Sequence, residues 1–246
     1  MKLLQFEDLG SMKYKPCWDY QKEIFKTIIR RKIDRRDTVD ENELASLPQP
    51  TSRLLFVEHP HVLTLGKSGN VNNVLVNPER LAKLGVDYFP INRGGDITYH
   101  GPGQLVAYPI LDLDQFFTDI HKYLRTLEEA IIRTCAEFKI EAGRIDGLTG
   151  VWVDVESKLS ARKICAFGVK SSRWVTMHGL ALNVDSDLNF FDLIVPCGIS
   201  DRGVTSISKE VGRKVSLEDV KPILKKHLQR LFGYKYISGL DSPYIC

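Results

Sequence analysis

Helical periodicity surfaces in three stretches of this 246-residue chain, and what lies between them reads as strand and loop. Tyr20, Ile24 and Ile28, with Phe25 and Ile29 beside them, recur at the spacing of one helix face and predict an amphipathic helix over about 18–32. Phe116, Ile120, Leu124, Leu127, Ile131 and Phe138 predict a long second helix over about 114–139. A third starts where Ser216 and Asp219 stand at capping-box spacing ahead of Val220, Leu224, Leu228 and Leu231, with Pro222 blurring its first turn. A doubly wound parallel sheet needs a crossover helix after nearly every strand, and helices at the front, middle and end cannot supply them. The expected class is therefore α+β, a mixed or antiparallel β-sheet flanked by helices.

The strand candidates are "RLLFVEHPHVLTLG", which holds two, then "VDYFPINR", "LVAYPILDL", "GLTGVWVDV", "RKICAFGVKSS" and "WVTMHGLALNV". A long loop, "DSDLNFFDLIVPCGISDRGVTSIS", follows the last of them. Between the first helix and the first strand, "RRKIDRRDTVDENELASLPQPTS" is so charged, and ends in so much proline, that it reads as an exposed, mobile connection. With 43% apolar residues the chain can bury the core of one large domain.

Bulk charge excludes more than it suggests. Lys+Arg of 34 against Asp+Glu of 31 leaves +3, too little to mark a nucleic-acid partner. The opening "MKLLQFEDLGSMKYKPCW" is broken by Gln5, Glu7 and Asp8 and lacks the pattern of a secretory signal, and no stretch reaches membrane-spanning length. The cysteines at 17, 135, 165, 197 and 246 form no CxxC pair and no disulfide framework, which points to a reducing, cytoplasmic setting. His59 and His61 flank Pro60 without metal-ligand spacing, and His121 and His227 fall on predicted helix surfaces, so no metal is expected.

Four stretches carry residues suited to chemistry. In "RGGDITYHGPGQL", Gly94, Gly95, Gly101 and Gly103 permit positive φ and close approach to backbone, but the spacing is neither a Walker A loop nor a dinucleotide fingerprint. A tight hairpin would explain the glycines, though not Arg93 and His100. In "VPCGISDRGVTSIS", Cys197 stands between Pro196 and Gly198, where flanking amides could hold an oxyanion; a small buried hydrophobe is the rival reading. In "SARKICAFGVKSS", alternation places Lys163 and Cys165 on one strand face and Ile164 on the other, making Cys165 a competing nucleophile. Arg162 and Lys163 ahead of an apolar strand read first as solvated flanking charges, whereas a lysine aimed into a pocket could donate and accept protons and favour a nearby thiolate. In "TMHGLALN", His178 reads as a satisfied core histidine rather than a catalyst.

"RGGDITYHGPGQLVAYPILDL", "RKICAFGVK", "HGLALNV" and "VPCGISDRGVTSIS", in that order and preceded by "EHPHVLTLG", resemble the signature blocks of the lipoate-biosynthesis protein B family, the lipoyl(octanoyl) transferases. The resemblance spans most of residues 54 to 208. It lapses at about 31–50, which looks like a charged insertion, and after Ser208. It implies the lipoate/biotin protein ligase fold in a single catalytic domain over 1–246. It further implies a two-step acyl transfer, from octanoyl-acyl carrier protein to a cysteine and then to a specific lysine. The acceptors it implies are lipoyl domains of 2-oxoacid dehydrogenase E2 subunits and the glycine cleavage H protein, with no nucleic acid, membrane, ATP, metal or other cofactor.

Carried over by position, the resemblance makes Cys197 the acyl-accepting cysteine and Lys163 the lysine that assists it. The matching substrate-lining stretches are Arg93, Gly94, Gly95, Asp96, Ile97, Thr98, Tyr99 and His100; Ala166, Phe167 and Gly168; and Gly179, Leu180 and Ala181. The glycines would then let a thioester and fatty chain run along bare backbone, with Arg93 and His100 ordering the loop. Acidic carriers would dock on a basic rim of Arg162, Lys163, Lys170, Arg173 and Arg202. The rival activities are an ATP-dependent lipoate ligase, a thioesterase, and a non-catalytic module that binds lipoyl domains or carriers.

Overall fold

Charged sequence does not mean open chain in the first forty residues. The structure, a computed structural model, describes residues 2–157, 159–195 and 203–237. It opens on a strand not foreseen from the sequence, β1 (Lys2–Ser11), whose Leu4 is buried. Helix α1 then runs Tyr14–Asp37, well past the last apolar residue of its stripe, and a short α2 (Glu41–Ser46) follows. The stretch expected to be a mobile connection is thus largely helical, and hydrogen bonds explain why. Asp40 caps α2 by accepting from the Glu43 N–H. Arg35 Nη1 donates to the carbonyls of Leu44 and Leu47, and Arg31 Nη1 to that of Gln49. Two arginines of α1 thereby satisfy carbonyls at and beyond the end of α2.

The chain continues through β2 (Ser52–Glu58), β3 (Val62–Leu65), α3 (Pro78–Lys83), β4 (Asp87–Pro90), β5 (Ile97–His100) and β6 (Gln104–Ile110). After a 3₁₀ turn at Leu113–Gln115, α4 spans Ile120–Glu137. It starts later than its apolar spacing predicted because Asp119 is its cap, accepting from the Lys122 N–H. Then come β7 (Ala142–Gly143), β8 (Val151–Val153), β9 (Arg162–Ser172), β10 (Val175–Asn183), β11 (Gly203–Val204), α5 (Ile207–Val211), α6 (Leu217–Phe232) and β12 (Tyr234–Ile237). The Ser216–Asp219 capping box forms as the spacing predicted, and Pro222 lies inside α6 without ending it.

The main sheet has the order β12-β1-β2-β6-β10-β9-β8-β7, with β11 added beside β9. β1 runs parallel to β12 and β2, while β2, β6, β10, β9 and β8 pair antiparallel, so the sheet is mixed as expected. Alternation along β2 feeds both faces: Leu54 and Phe56 pack toward α4 and α6, Leu55 and Val57 toward α1. The α1 stripe, Tyr20, Ile24 and Ile28, closes the second face; full burial of a side chain such as Ile28 contributes roughly 1.5–3 kcal/mol. A second sheet, β4-β3-β5, carries the glycine-rich motif. It is fastened to the main sheet where the Gly94 N–H donates to the Val169 carbonyl of β9 at 2.8 Å.

Candidate active site

Arg93 is a buried guanidinium whose Nη2 donates to the Thr64 carbonyl (2.7 Å) and Oγ1 (3.0 Å), while Nη1 donates to the Gly94 carbonyl (3.0 Å). It ties β3 to the motif and lies flat against β9, where a Cβ on Gly168 would fall 2.6 Å from its Cδ. His100, also buried, bonds through Nδ1 to Gln104 Oε1 at 2.8 Å. Gln104 Nε2 donates to Asn183 Oδ1 (2.9 Å), and Asn183 Nδ2 donates to the Thr205 carbonyl (2.9 Å). Burial, reinforced by nearby His59, pushes the His100 pKa down to about 3, so its imidazole is neutral and structural. Arg93 and His100 do order the motif.

The glycines divide into two groups. Gly95, at φ +86°, lines a narrow open-mouthed cleft, and Gly94 lines the hollow beside it. Gly101 and Gly103 leave no backbone bare for a ligand. Gly103, at φ +77°, donates its N–H to Glu58 Oε1 at 2.7 Å, and a Cβ there would sit 2.3 Å from the Asp185 carbonyl oxygen. Gly101 is filled by the ring of Tyr99. Here the absence of side chains serves the protein's own packing.

The cleft runs between β5 and the β9–β10 pair. Arg93, Gly95, Asp96, Ile97, Thr98 and His100 form one side. Ala166, Phe167 and Gly168 of β9 and Gly179, Leu180 and Ala181 of β10 form the other. Of the motif residues expected to line it, Gly94 lies in the adjoining hollow and Tyr99 turns away: it packs against Phe191 and its hydroxyl hydrogen-bonds with His61 Nδ1 at 2.8 Å, on the opposite face of β5 from His100. Asp96 accepts from the Asn70 N–H and from Asn73 Nδ2, holding the 66–73 loop at the rim.

Lys163 lies where three hollows adjoin. It lines one with Thr98, Gln104, Ala166, Ala181 and Asn183 and a second with Gly95, Phe167 and Gly168, and Ala166 is common to both and to the main cleft. It is only 8% exposed, with Nζ 4.6 Å from the centre of the Trp152 ring, a cation–π contact worth about 2 kcal/mol when desolvated. A solvated flanking charge would be neither. Strict alternation from Lys163 to Cys165 fails, because the register between β8 and β9 slips: Trp152 pairs with Lys163, but Val151 pairs with Cys165. The bulge at Ile164 sends Ile164 and Cys165 together into the core and leaves Lys163 and Ala166 on the hollow.

Cys165 is therefore no nucleophile: it is fully buried, and burial drives its thiol well above the ordinary range. Cys17 and Cys135, equally buried, are pushed up to about 12. Cys197 and Cys246 lie outside the described residues. Both flanks of the Cys197 segment are fixed, however. The Val195 N–H donates to the Asn73 carbonyl at 2.9 Å. On the far side Gly203 and Val204 pair with Arg162 and Lys163, and the Thr205 N–H donates to the Lys163 carbonyl at 3.0 Å.

The expected basic rim is thinner than its sequence. Arg162 is engaged by Glu210 and Asp154, and Lys163 is buried. Lys170 reaches over the Phe25 ring, Arg173 is exposed at the hairpin tip, and Arg202 lies outside the described residues. Sequence reasoning also passed over Tyr14, Tyr108, Trp152 and Asn183. Polar Gln104 at the start of β6 and Asn183 at the end of β10 were the visible signal for the buried network.

The mixed sheet, with its two-sided helical cover and a small second sheet over β9 and β10, is the fold of lipoate-protein ligases. It superposes on a bipartite lipoate protein ligase from Thermoplasma acidophilum with a TM-score of 0.67, at 17% identity, covering 99% of this chain and 88% of that one. Lipoate-protein ligase A bound with ATP gives 0.66 at 17% identity, over 99% and 90%. Residues 14–229 match the lipoyl protein ligase A/B catalytic domain, and the chain belongs to that family. Relatives named octanoyltransferase include those of Cytophaga hutchinsonii, 57% identical over 94% of this chain and 93% of the relative, and Flavobacterium johnsoniae, 56% identical over 94% and 97%. No helix among the described residues is long and apolar enough to cross a membrane.

Proposed function

We propose that this acyltransferase moves an octanoyl group in protein lipoylation in two steps, taking it from octanoyl-acyl carrier protein onto Cys197 and passing it to a lysine of a lipoyl domain. The observation that carries this reading is the placement of Lys163, buried at the junction of an apolar cleft with the strand that anchors the Cys197 segment. Val106, Ala166, Phe167, Leu180 and Ala181 line the cleft and suit a saturated chain.

In the first step the Cys197 sulfur bonds to the thioester carbonyl carbon, the carbon–sulfur bond to the carrier breaks, and the proton given up by Cys197 ends on the departing sulfur, which leaves as the carrier thiol. One thioester replaces another at little free-energy cost. In the second step the neutral amine of the acceptor lysine bonds to the same carbon, the bond to Cys197 breaks, and the proton lost by nitrogen ends on sulfur. An amide is far more stable than a thioester, so this step runs downhill. Lys163 favours the thiolate beforehand by its charge and relays the proton afterwards. Arg93 and the His100–Gln104–Asn183 network hold the walls in register.

Acceptors in this reading are lipoyl domains of 2-oxoacid dehydrogenase E2 subunits and the glycine cleavage H protein, and the setting is the cytoplasm. Incubation with octanoyl-acyl carrier protein followed by intact-mass measurement tests it: an added octanoyl group on the protein, chased onto a lipoyl domain, is the expected result. Release of free octanoate without transfer would make the protein a thioesterase, and AMP formed from lipoic acid and ATP would make it a ligase.

A further inference from the structure

His178 of β10 lies in the cleft but was expected to be an ordinary core histidine. Its backbone has φ +63°, a left-handed conformation that costs a side-chain-bearing residue on the order of 1–3 kcal/mol and that glycine adopts freely. Its N–H is drawn off to Gln21 Oε1 of α1 at 3.2 Å. The ring is 2% exposed, and its Nε2 has no hydrogen-bond partner among the described residues. An imidazole kept in a strained backbone, making no protein hydrogen bond through Nε2, is doing something other than stabilising the core.

Its position says what. Ala181 pairs with Ala166, in the hollow that holds Lys163, whereas His178 pairs with Val169, three residues further along β10. Three strand residues span about 10 Å. An extended eight-carbon acyl chain, seven C–C bonds of about 1.5 Å in a zigzag, spans on the order of 9 Å. With the thioester beside Lys163, the methyl end of such a chain reaches His178, where Tyr14 and Tyr108 also face the cleft.

We propose that the His178 imidazole is the end wall of the acyl cleft and sets the longest chain the enzyme accepts, a specificity-determining role that rests on the octanoyl-transfer reading. The wall acts through volume: the ring occupies the space that further methylenes would need.

The test compares wild type with His178→Gly, which fits φ +63° without strain, and with His178→Asn, a shorter residue that tolerates the same backbone. Single-turnover acylation is read by mass with hexanoyl-, octanoyl-, decanoyl- and dodecanoyl-carrier. The dodecanoyl-to-octanoyl rate ratio should rise by about tenfold or more in the glycine variant and less in the asparagine variant. Calorimetric titration with free octanoate and dodecanoate reads the wall without chemistry, and dodecanoate should gain affinity relative to octanoate in both variants. An unchanged chain-length profile and unchanged relative affinities in the two variants would overturn the proposal. Failure of wild type to accept octanoyl from any carrier would instead sink the transfer reading and leave the titration to decide the wall.

Discussion

The backbone N–H of Thr205 donates to the carbonyl of Lys163 at 3.0 Å, so the strand that buries the lysine also fixes the far flank of the Cys197 segment. The Thr205 carbonyl in turn accepts from Asn183, whose own oxygen accepts from Gln104. One buried chain of hydrogen bonds thus links His100 of the glycine-rich motif to the residues just past that segment.

Asn183→Ala should break the chain at its centre. It takes from the Thr205 carbonyl its Asn183 donor and leaves the Gln104 amide only its longer 3.3 Å bond to the Tyr99 carbonyl, a loss of about 1–3 kcal/mol for a buried group left unpaired. Urea denaturation should show a lowered midpoint at unchanged slope, and transfer activity should fall more steeply than stability alone accounts for. A variant as active and as stable as wild type would show that this network does not position the site.

Cysteine chemistry separates the candidates directly. With Cys17 and Cys135 pushed up to about 12 and burial also driving Cys165 well above the ordinary thiol range, the native protein treated with iodoacetamide near neutral pH should carry no label on any of the three. Label and octanoyl group should both map to Cys197, and Cys197→Ser should abolish turnover that Cys165→Ser largely spares. An octanoyl group found on Cys165 would refute the assignment.

The strand blocks were legible because apolar β-rich runs bounded by turns announce themselves, and the three helices because 3.6-residue spacing does. The ends were not. β1 interleaves Gln5 and Glu7 with its apolar residues because Glu7, though buried, pairs with Arg53 at 2.7 Å and Tyr20 at 2.6 Å, partners no local pattern reveals. The 31–50 stretch misled for a similar reason, since its arginines cap carbonyls nine or more residues away. At the site, much of the cleft lining falls in stretches that the resemblance singles out, while Tyr14, Val106, Tyr108 and His178 fall outside them, and no sequence pattern shows the bulge at Ile164 that separates Lys163 from Cys165. The left-handed backbone of His178 was hidden too, because nothing in "TMHGLALN" marks it.

Acid should destabilise the protein through its buried histidines. Desolvation lowers His59 to about 4 and His100 and His178 to about 3, against about 6.5 in an unfolded chain. A depressed base is neutral in both states above the unfolded value, so its stabilisation is complete there. Below it the unfolded chain gains protons that the native state refuses, and stability falls until the folded values are reached. Each histidine contributes a slope of up to roughly 1.4 kcal/mol per pH unit, and His227, also lowered, adds in the same direction. Urea midpoints should therefore drop between about pH 6.5 and 4.5, before most carboxylates titrate. A flat profile across that window would mean these rings are not held neutral.

Lys163 has two tasks that can be measured apart. If its charge favours the Cys197 thiolate, Lys163→Ala should slow alkylation of Cys197 near neutral pH, and raising the pH should recover much of the rate as the thiol ionises unaided. If it also relays the proton of the incoming amine, transfer from pre-formed acyl-Cys197 to a lipoyl domain should slow by about 10²- to 10⁴-fold. Lys163→Arg separates the two, since a guanidinium keeps the charge but does not release its proton. Its planar head must also fit where Nζ now lies over Trp152, so alkylation should recover in part and transfer should not. Lys163→Ala with wild-type alkylation and wild-type single-turnover transfer would leave the buried lysine without a part in the chemistry, whatever its burial.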